Sequence, residues 1–259
     1  MNKTNTGNFF EDFSLGQEIR HATPRTITQG DASLYLALFG SRFAVTCAEP
    51  FAQGLGYRTT PIDDLLAFHV VFGKTVPDIS LNAVANLGYA DCRFVLPVYA
   101  GDTLTTTSTV IGLKQNSNGK TGTVYVRSTG TNQNAEIVID YVRWVMVRKG
   151  NLDAPAPDVV VPDLPDRVDP ASLAVDQVLN GGNFDPVLSG SNHFFSDYSV
   201  GEKIDHVDGV TIEEAEHMTA TRLYQNTAKV HFNQFSEKDG RFGRRLMYGG
   251  HVISLARAI

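Results

Sequence analysis

The sequence predicts an α+β protein assembled from two copies of one unit, and three observations carry that prediction. The first is an internal repeat at a constant offset of 185. Residues 9–31 (FFEDFSLGQEIRHATPRTITQGD) align with residues 194–216 (FFSDYSVGEKIDHVDGVTIEEAE). Nine of the 23 pairs are identical, among them Phe9/Phe194, Asp12/Asp197, Gly16/Gly201, His21/His206 and Thr26/Thr211, where chance supplies about one or two. The second is a change of period inside the first copy, from helical stretches to long runs rich in β-branched and aromatic residues. The third is a stretch, 150–190, that holds six of the eleven prolines and reads as an extended connector. The expected organisation is a first copy over 1–149, a linker over 150–190 and the start of a second copy over 191–259.

The elements follow in order. Residues 26–39 (TITQGDASLYLALF) read as a helix entered after a polar cap. Residues 61–74 (PIDDLLAFHVVFGK) read as a second, more apolar helix, with Pro61 at its start and two aspartates behind it. Strands are expected over 89–98, 102–113, 121–128 and 136–148, with hairpin signals at Asn118-Gly119 and 131–135. Helices followed by an antiparallel run of strands give the α+β class. The second copy repeats the helical half and reaches residue 259 inside its apolar helix, 249–259. If the copies are equal in extent, about 75 further residues of strands belong to it. A helix without its sheet cannot bury its apolar face, so the second unit is expected to be truncated in this chain.

Composition narrows the function. The chain's 259 residues, 42% of them hydrophobic, suffice for one large or two ordinary domains with a real core. Its 22 basic against 28 acidic residues leave −6, which disfavours nucleic acid and anionic membranes as partners. Cys47 and Cys92 lie far apart in no metal-ligand spacing, so neither a disulfide framework nor a structural zinc is expected. The apolar stretch 65–72 contains His69 and falls far short of a membrane span. A soluble, cytoplasmic protein is the expectation. No Gly-rich phosphate loop, nucleophile elbow or metal-ligand cluster is present in the sequence.

The offset also aligns residues 39–52 (FGSRFAVTCAEPFA) with 224–235 (YQNTAKVHFNQF). These segments resemble the signature of MaoC-like and (R)-specific enoyl-CoA hydratases, Gly-Asp-x-Asn-Pro-x-His followed by Asp-Pro-x-Phe-Ala. Residues 93–105 (RFVLPVYAGDTLT) look like the strand motif of the same family, and 246–255 (LMYGGHVISL) like the opening of its central helix. The longer blocks GSRFA, DDLLAFHVVFGKTVPDISLNAVANLGYA, VIGLKQNSNGKTGTVYVRS and YGGHVISLARA are similar to the mesaconyl-CoA (2-methylfumaryl-CoA) hydratase or β-methylmalyl-CoA dehydratase family. The resemblance implies a double hotdog, two fused units each with a long central helix wrapped by an antiparallel sheet.

It also implies a chemistry, reversible addition of water to an enoyl thioester. That reaction needs a base for water, an acid for the α-carbon and donors for the enolate oxygen. Carried over by position, His231 is the acid/base, Asn226 the partner that orients water, and Gly249 the backbone donor at a helix start. The family's aspartate position is occupied by Asn226 and Ser41, and its histidine position by His231 and Thr46, so the first copy's site reads as silent. An amide takes no proton at neutral pH. Asp63 and Asp64 therefore stand as candidates for the absent carboxylate, or as helix-start stabilisers. Arg222, Lys229, Arg244 and Arg245 are open to two readings, contacts to CoA phosphates or a substrate carboxylate, and a solvated face. His251 reads as a core residue, while His21 and His206 read as a shared packing or hydrogen-bonding pair. No cofactor is expected beyond the CoA of the substrate, and a homo-oligomer is expected. Hydration of another enoyl-CoA, or acyl-CoA binding without catalysis, are the alternatives.

Overall fold

The computed structural model describes residues 3–175, 179–240 and 242–258. The first copy contributes a five-stranded sheet of β1 (Glu18–Thr26), β2 (Ala83–Phe94), β3 (Thr103–Gln115), β4 (Thr121–Thr131) and β5 (Ile137–Arg148), antiparallel throughout in the order β1-β3-β4-β5-β2. Its helices are α1 (Gln29–Phe39), the short α2 (Ala44–Cys47) and α3 (Glu49–Gly54), and α4 (Asp64–Thr75). Beyond the connector, which carries the single turn α5 (Pro186–Ser189), come α6 (Glu214–Leu223), α7 (Lys229–Phe232), α8 (Gln234–Glu237) and α9 (Gly249–Ala258). The starts of α6, α7, α8 and α9 fall 185 residues after those of α1, α2, α3 and α4. Ile259, the end of the expected final helix, lies outside the described residues.

Local chemistry sets the helix ends. Thr28 caps α1 in a reciprocal box, accepting from the Asp31 N–H at 3.1 Å while its own N–H donates to Asp31 Oδ2 at 2.8 Å, so the helix begins later than residue 26. Gly40 closes it in the left-handed conformation, φ 61°. Asp63 caps α4, accepting from the Leu65 N–H at 2.9 Å.

The core is organised around α4. Every residue of Leu66–Thr75 is buried, the state of a helix enclosed on all sides. One side lies on the sheet, where β3 alternates buried and half-buried positions over nearly its whole length. The other side meets the second copy. A Cβ on Gly73 would stand 1.8 Å from the Tyr224 carbonyl oxygen, so glycine alone permits this approach.

Two differences from the sequence-based expectations have physical causes. β1 was not predicted as a strand, because an edge strand exposed on one face lacks the alternating apolar pattern and tolerates Pro24. β2 begins at Ala83 and ends at Phe94, earlier at both ends than predicted. Its first half (AVANLG) is poor in strand-forming types, and Pro97 cannot donate to a ladder. The counterpart of β1 in the second copy, residues 203–211, is exposed and irregular. No strand of the second copy lies among the described residues to receive its backbone groups. Among the described residues no helix is long and apolar enough to cross a membrane.

Candidate active site

Three segments of the second copy meet against the sheet of the first. The chain leaves α6 through Gln225, held at φ 55°, the same left-handed turn that Gly40 makes at the equivalent position. This turn buries Asn226 completely, with its N–H on the Thr221 carbonyl at 2.9 Å. The side-chain Oδ1 of Asn226 accepts from the Ala228 N–H at 3.3 Å, and its Nδ2 is buried with no partner. His231 follows on α7. The segment before α9 is tied to α7 by the Leu246 N–H, which donates to the Val230 carbonyl at 2.8 Å. In return, His231 Nδ1 lies 2.9 Å from the Leu246 carbonyl oxygen. A carbonyl only accepts, so Nδ1 carries the proton and Nε2 is left with its lone pair. Burial holds the His231 pKa below the ordinary histidine value, opposed in part by the Leu246 bond, so the ring is neutral at pH 7.

Asn226, His231 and Gly249 line one cavity of about 400 Å³. Gly249 opens α9, where the first N–H groups have no intrahelical acceptor and the helix dipole is positive. A Cβ there would meet nothing within 4 Å. At the next residue, Gly250, it would collide with the rings of Tyr248 and His69. The opposite wall comes from the first copy, with Phe72 of α4, Asn86 and Tyr89 of β2, and Arg143 of β5. A second cavity of about 490 Å³ shares Ser80, Val84, Val230 and Leu246 with the first and carries Lys229 and Arg148.

Behind the cavity stands a buried shell that sequence reasoning did not assemble. His217 of α6 accepts from the Tyr248 N–H at 3.0 Å, and its ring lies 6.4 Å from His231 and 5.5 Å from His251. Burial, helped by these neighbours, lowers its pKa to about 4. His69 lies 3.3 Å from the Tyr248 hydroxyl and 2.9 Å from the Ser254 hydroxyl, and burial lowers its pKa to about 3. Ser254 also accepts from the Tyr35 hydroxyl at 2.9 Å. The repeat offered a signal for this shell, since His217, His231 and His251 stand where the first copy has Ala32, Thr46 and Leu66.

The remaining candidates lie elsewhere. Neither Asp63 nor Asp64 lines the cavity. Asp63 is used as the α4 cap and as the partner of Arg257, at 2.9 Å, and Asp64 stands 4.0 Å from the same guanidinium. Arg222 and Arg244 are exposed, and Arg245 pairs with Glu214 at 3.2 Å. His21 bridges Asp78 and Ser108 at 2.7 and 2.8 Å, whereas His206 is exposed. In the first copy, Thr46 donates to the Phe43 carbonyl at 3.1 Å beside a space of about 20 Å³. Among the described residues no group of three or more His, Cys, Asp or Glu is placed to hold a metal ion.

Comparison with known proteins agrees with this architecture. A β-methylmalyl-CoA dehydratase of Chloroflexus aurantiacus is 66% identical over 257 residues, spanning 99% of this chain and 73% of its own. The crystal structure of a MaoC domain dehydratase from the same organism superposes with a TM-score of 0.96 and 66% identity, covering 100% of this chain and 74% of that one. A Mycobacterium tuberculosis protein with a double hotdog fold matches with a TM-score of 0.67 at 24% identity, over 98% of this chain and 76% of its own. The fold is accordingly a MaoC-like double hotdog of the α+β class. The model of the mesaconyl-CoA hydratase family matches residues 1–160, and with the 66% identical relative it shows that the chain belongs to that family.

Proposed function

We propose that this chain is a hydro-lyase that interconverts mesaconyl-CoA plus water with β-methylmalyl-CoA. One observation carries the assignment of residues: a donor amide, a neutral imidazole and a helix N-terminus line the same cavity. Asn226 Nδ2 donates to a water molecule, and the lone pair of His231 Nε2 accepts one of its protons. The water oxygen forms a bond to the β-carbon of the enoyl thioester while its proton passes to His231. The electron pair displaced from the double bond moves onto the thioester oxygen, where the Gly249 N–H and the dipole of α9 stabilise it. Collapse of this enolate takes a proton at the α-carbon, returned by the imidazolium, and His231 regains its neutral form.

The residues named need no cofactor other than the CoA carried by the substrate. The second cavity, with Lys229 and Arg148 on its wall, suits the phosphate-bearing end of CoA, since cations there meet anions. A cytoplasmic homo-oligomer completes the reading. The test is the absorbance of the conjugated thioester when protein and mesaconyl-CoA are mixed. It should fall in the parent and stay constant in His231→Ala; an equal fall in both proteins overturns the assignment.

A further inference from the structure

Arg143 is the largest fully buried side chain among the described residues. It occupies the inner face of β5, between Tyr141 and Val145, where the strand period places core residues. Its Nη1 donates to Ser80 Oγ at 3.0 Å and to Asn86 Oδ1 at 3.4 Å, and its Nη2 donates to Thr75 Oγ1 at 2.8 Å. Its Nε is buried without a partner. All three acceptors are neutral, and among the described residues no carboxylate pairs with it. Burial disfavours its charge, and the titratable groups beside it are the phenols of Tyr141, Tyr89 and Tyr248. A guanidinium stays protonated even when buried, and a buried cation without an anion is held at a large desolvation cost. Such a charge is retained where an anionic ligand completes it.

We propose that Arg143 receives the free carboxylate of the acyl group and so selects a carboxylated enoyl-CoA over an apolar one. The assignment rests on the hydratase reading above and adds its specificity residue. Arg143 and Asn86 line the same cavity as His231 and Gly249. The Phe72 ring lies 4.5 Å from the guanidinium carbon and 5.3 Å from the ring of Tyr248, the residue that precedes Gly249. Phe72 therefore neighbours both the guanidinium, offered to the carboxylate end of a short acyl chain, and the residue before Gly249, offered to its thioester end. The Asn86 bond, the longest of the three, is the one a carboxylate replaces.

Binding of succinyl-CoA and butyryl-CoA, saturated four-carbon thioesters that differ in one carboxylate, tests this without turnover. Calorimetry on the purified protein should show succinyl-CoA bound about 10- to 100-fold more tightly, the range expected of hydrogen bonds to a charged group. Arg143→Met should abolish the preference, and Arg143→Lys, which keeps the charge but not the fork, should retain part of it. On turnover, Arg143→Met should lower the ratio of kcat/KM for mesaconyl-CoA to that for tiglyl-CoA, which carries a methyl group in place of the carboxylate, by a similar factor. Equal affinity for the two saturated thioesters in the parent, or an undiminished preference in either variant, overturns the assignment. If Arg143→Met fails to fold, Arg143→Lys and the parent decide the question. Failure of the hydratase reading is seen separately, as bound mesaconyl-CoA left unhydrated.

Discussion

The two copies use the same helical scaffold and put different side chains on it. In the first, the position equivalent to His231 is Thr46, which bonds to its own loop beside a space of about 20 Å³. In the second, His231 faces a cavity of about 400 Å³. The helix starts differ in the same sense. Asp63 and Asp64 open α4, and Asp63 caps it and pairs with Arg257. Tyr248 and Gly249 open α9, which leaves that helix end free of a carboxylate and facing the cavity. A carboxylate cap satisfies the Leu65 N–H of α4, whereas in the hydratase reading proposed above the first N–H groups of α9 are kept for an oxyanion. Yet the first copy is not a bystander, since Phe72, Tyr89 and Arg143 form the wall opposite the histidine. The second copy brings Asn226, His231 and Gly249 to the cavity, and the first supplies its opposite wall.

The largest effect expected from breaking this contrast is on turnover. His231→Ala should lower kcat by about 10²- to 10⁴-fold, the usual contribution of a general acid/base, whereas Thr46→Ala should leave it unchanged; steady-state kinetics on mesaconyl-CoA checks both. Next is the seam between the copies. Gly250→Ala should destabilise by about 1–3 kcal/mol through its clash with Tyr248 and His69. Gly249→Ala, with open space at the Cβ position, should unfold in urea at nearly the parent midpoint.

Acid should weaken the same seam. His69 and His217 have folded pKa values of about 3 and about 4, both below an unfolded value of about 6.5. Between pH 6.5 and 4 the unfolded chain therefore binds protons that the fold excludes. Stability is fully present above pH 6.5 and falls as the pH drops through that window, by roughly 3 kcal/mol for each histidine. Denaturant midpoints at pH 7.5 and 4.5 measure the loss, and His69→Leu should cut it by about half. The smallest expected effect is at the first copy's helix start. Asp63→Asn, losing the charge that meets Arg257 but keeping a capping oxygen, should cost about 1 kcal/mol and leave kcat intact, as thermal melts and the same assay would show.

Much of the fold was legible because a repeat carries its own alignment. The offset of 185 located the helices of the second copy without any pattern of their own being strong. β1 was hidden, since its exposed edge position removes the apolar alternation that marks a buried strand. In the site, Asn226, His231 and Gly249 could be named from the resemblance of two short segments, 224–235 and 246–255, to the hydratase signature. His217 and Tyr248 were legible only as departures between the copies, Ala32 against His217 and Asp63 against Tyr248. Nothing in spacing marks Arg143, which sits in a strand that reads as core.

The sequence by itself determined the class of the fold and the duplicated helical unit, and it puts His231 where the first copy has Thr46. Those features are local: periodicity, caps and matched residues act within a few turns of chain. Only the tertiary structure decided that the cavity is shared between copies, that Asp63 is occupied by Arg257, and that a guanidinium with no carboxylate partner among the described residues stands in the far wall. Each of these depends on contacts between residues distant in sequence, from Asp63 to Arg257 and from Phe72 to Tyr248. Burial, which separates a solvated charge from one that demands a counter-ion, comes into being when the copies close on each other.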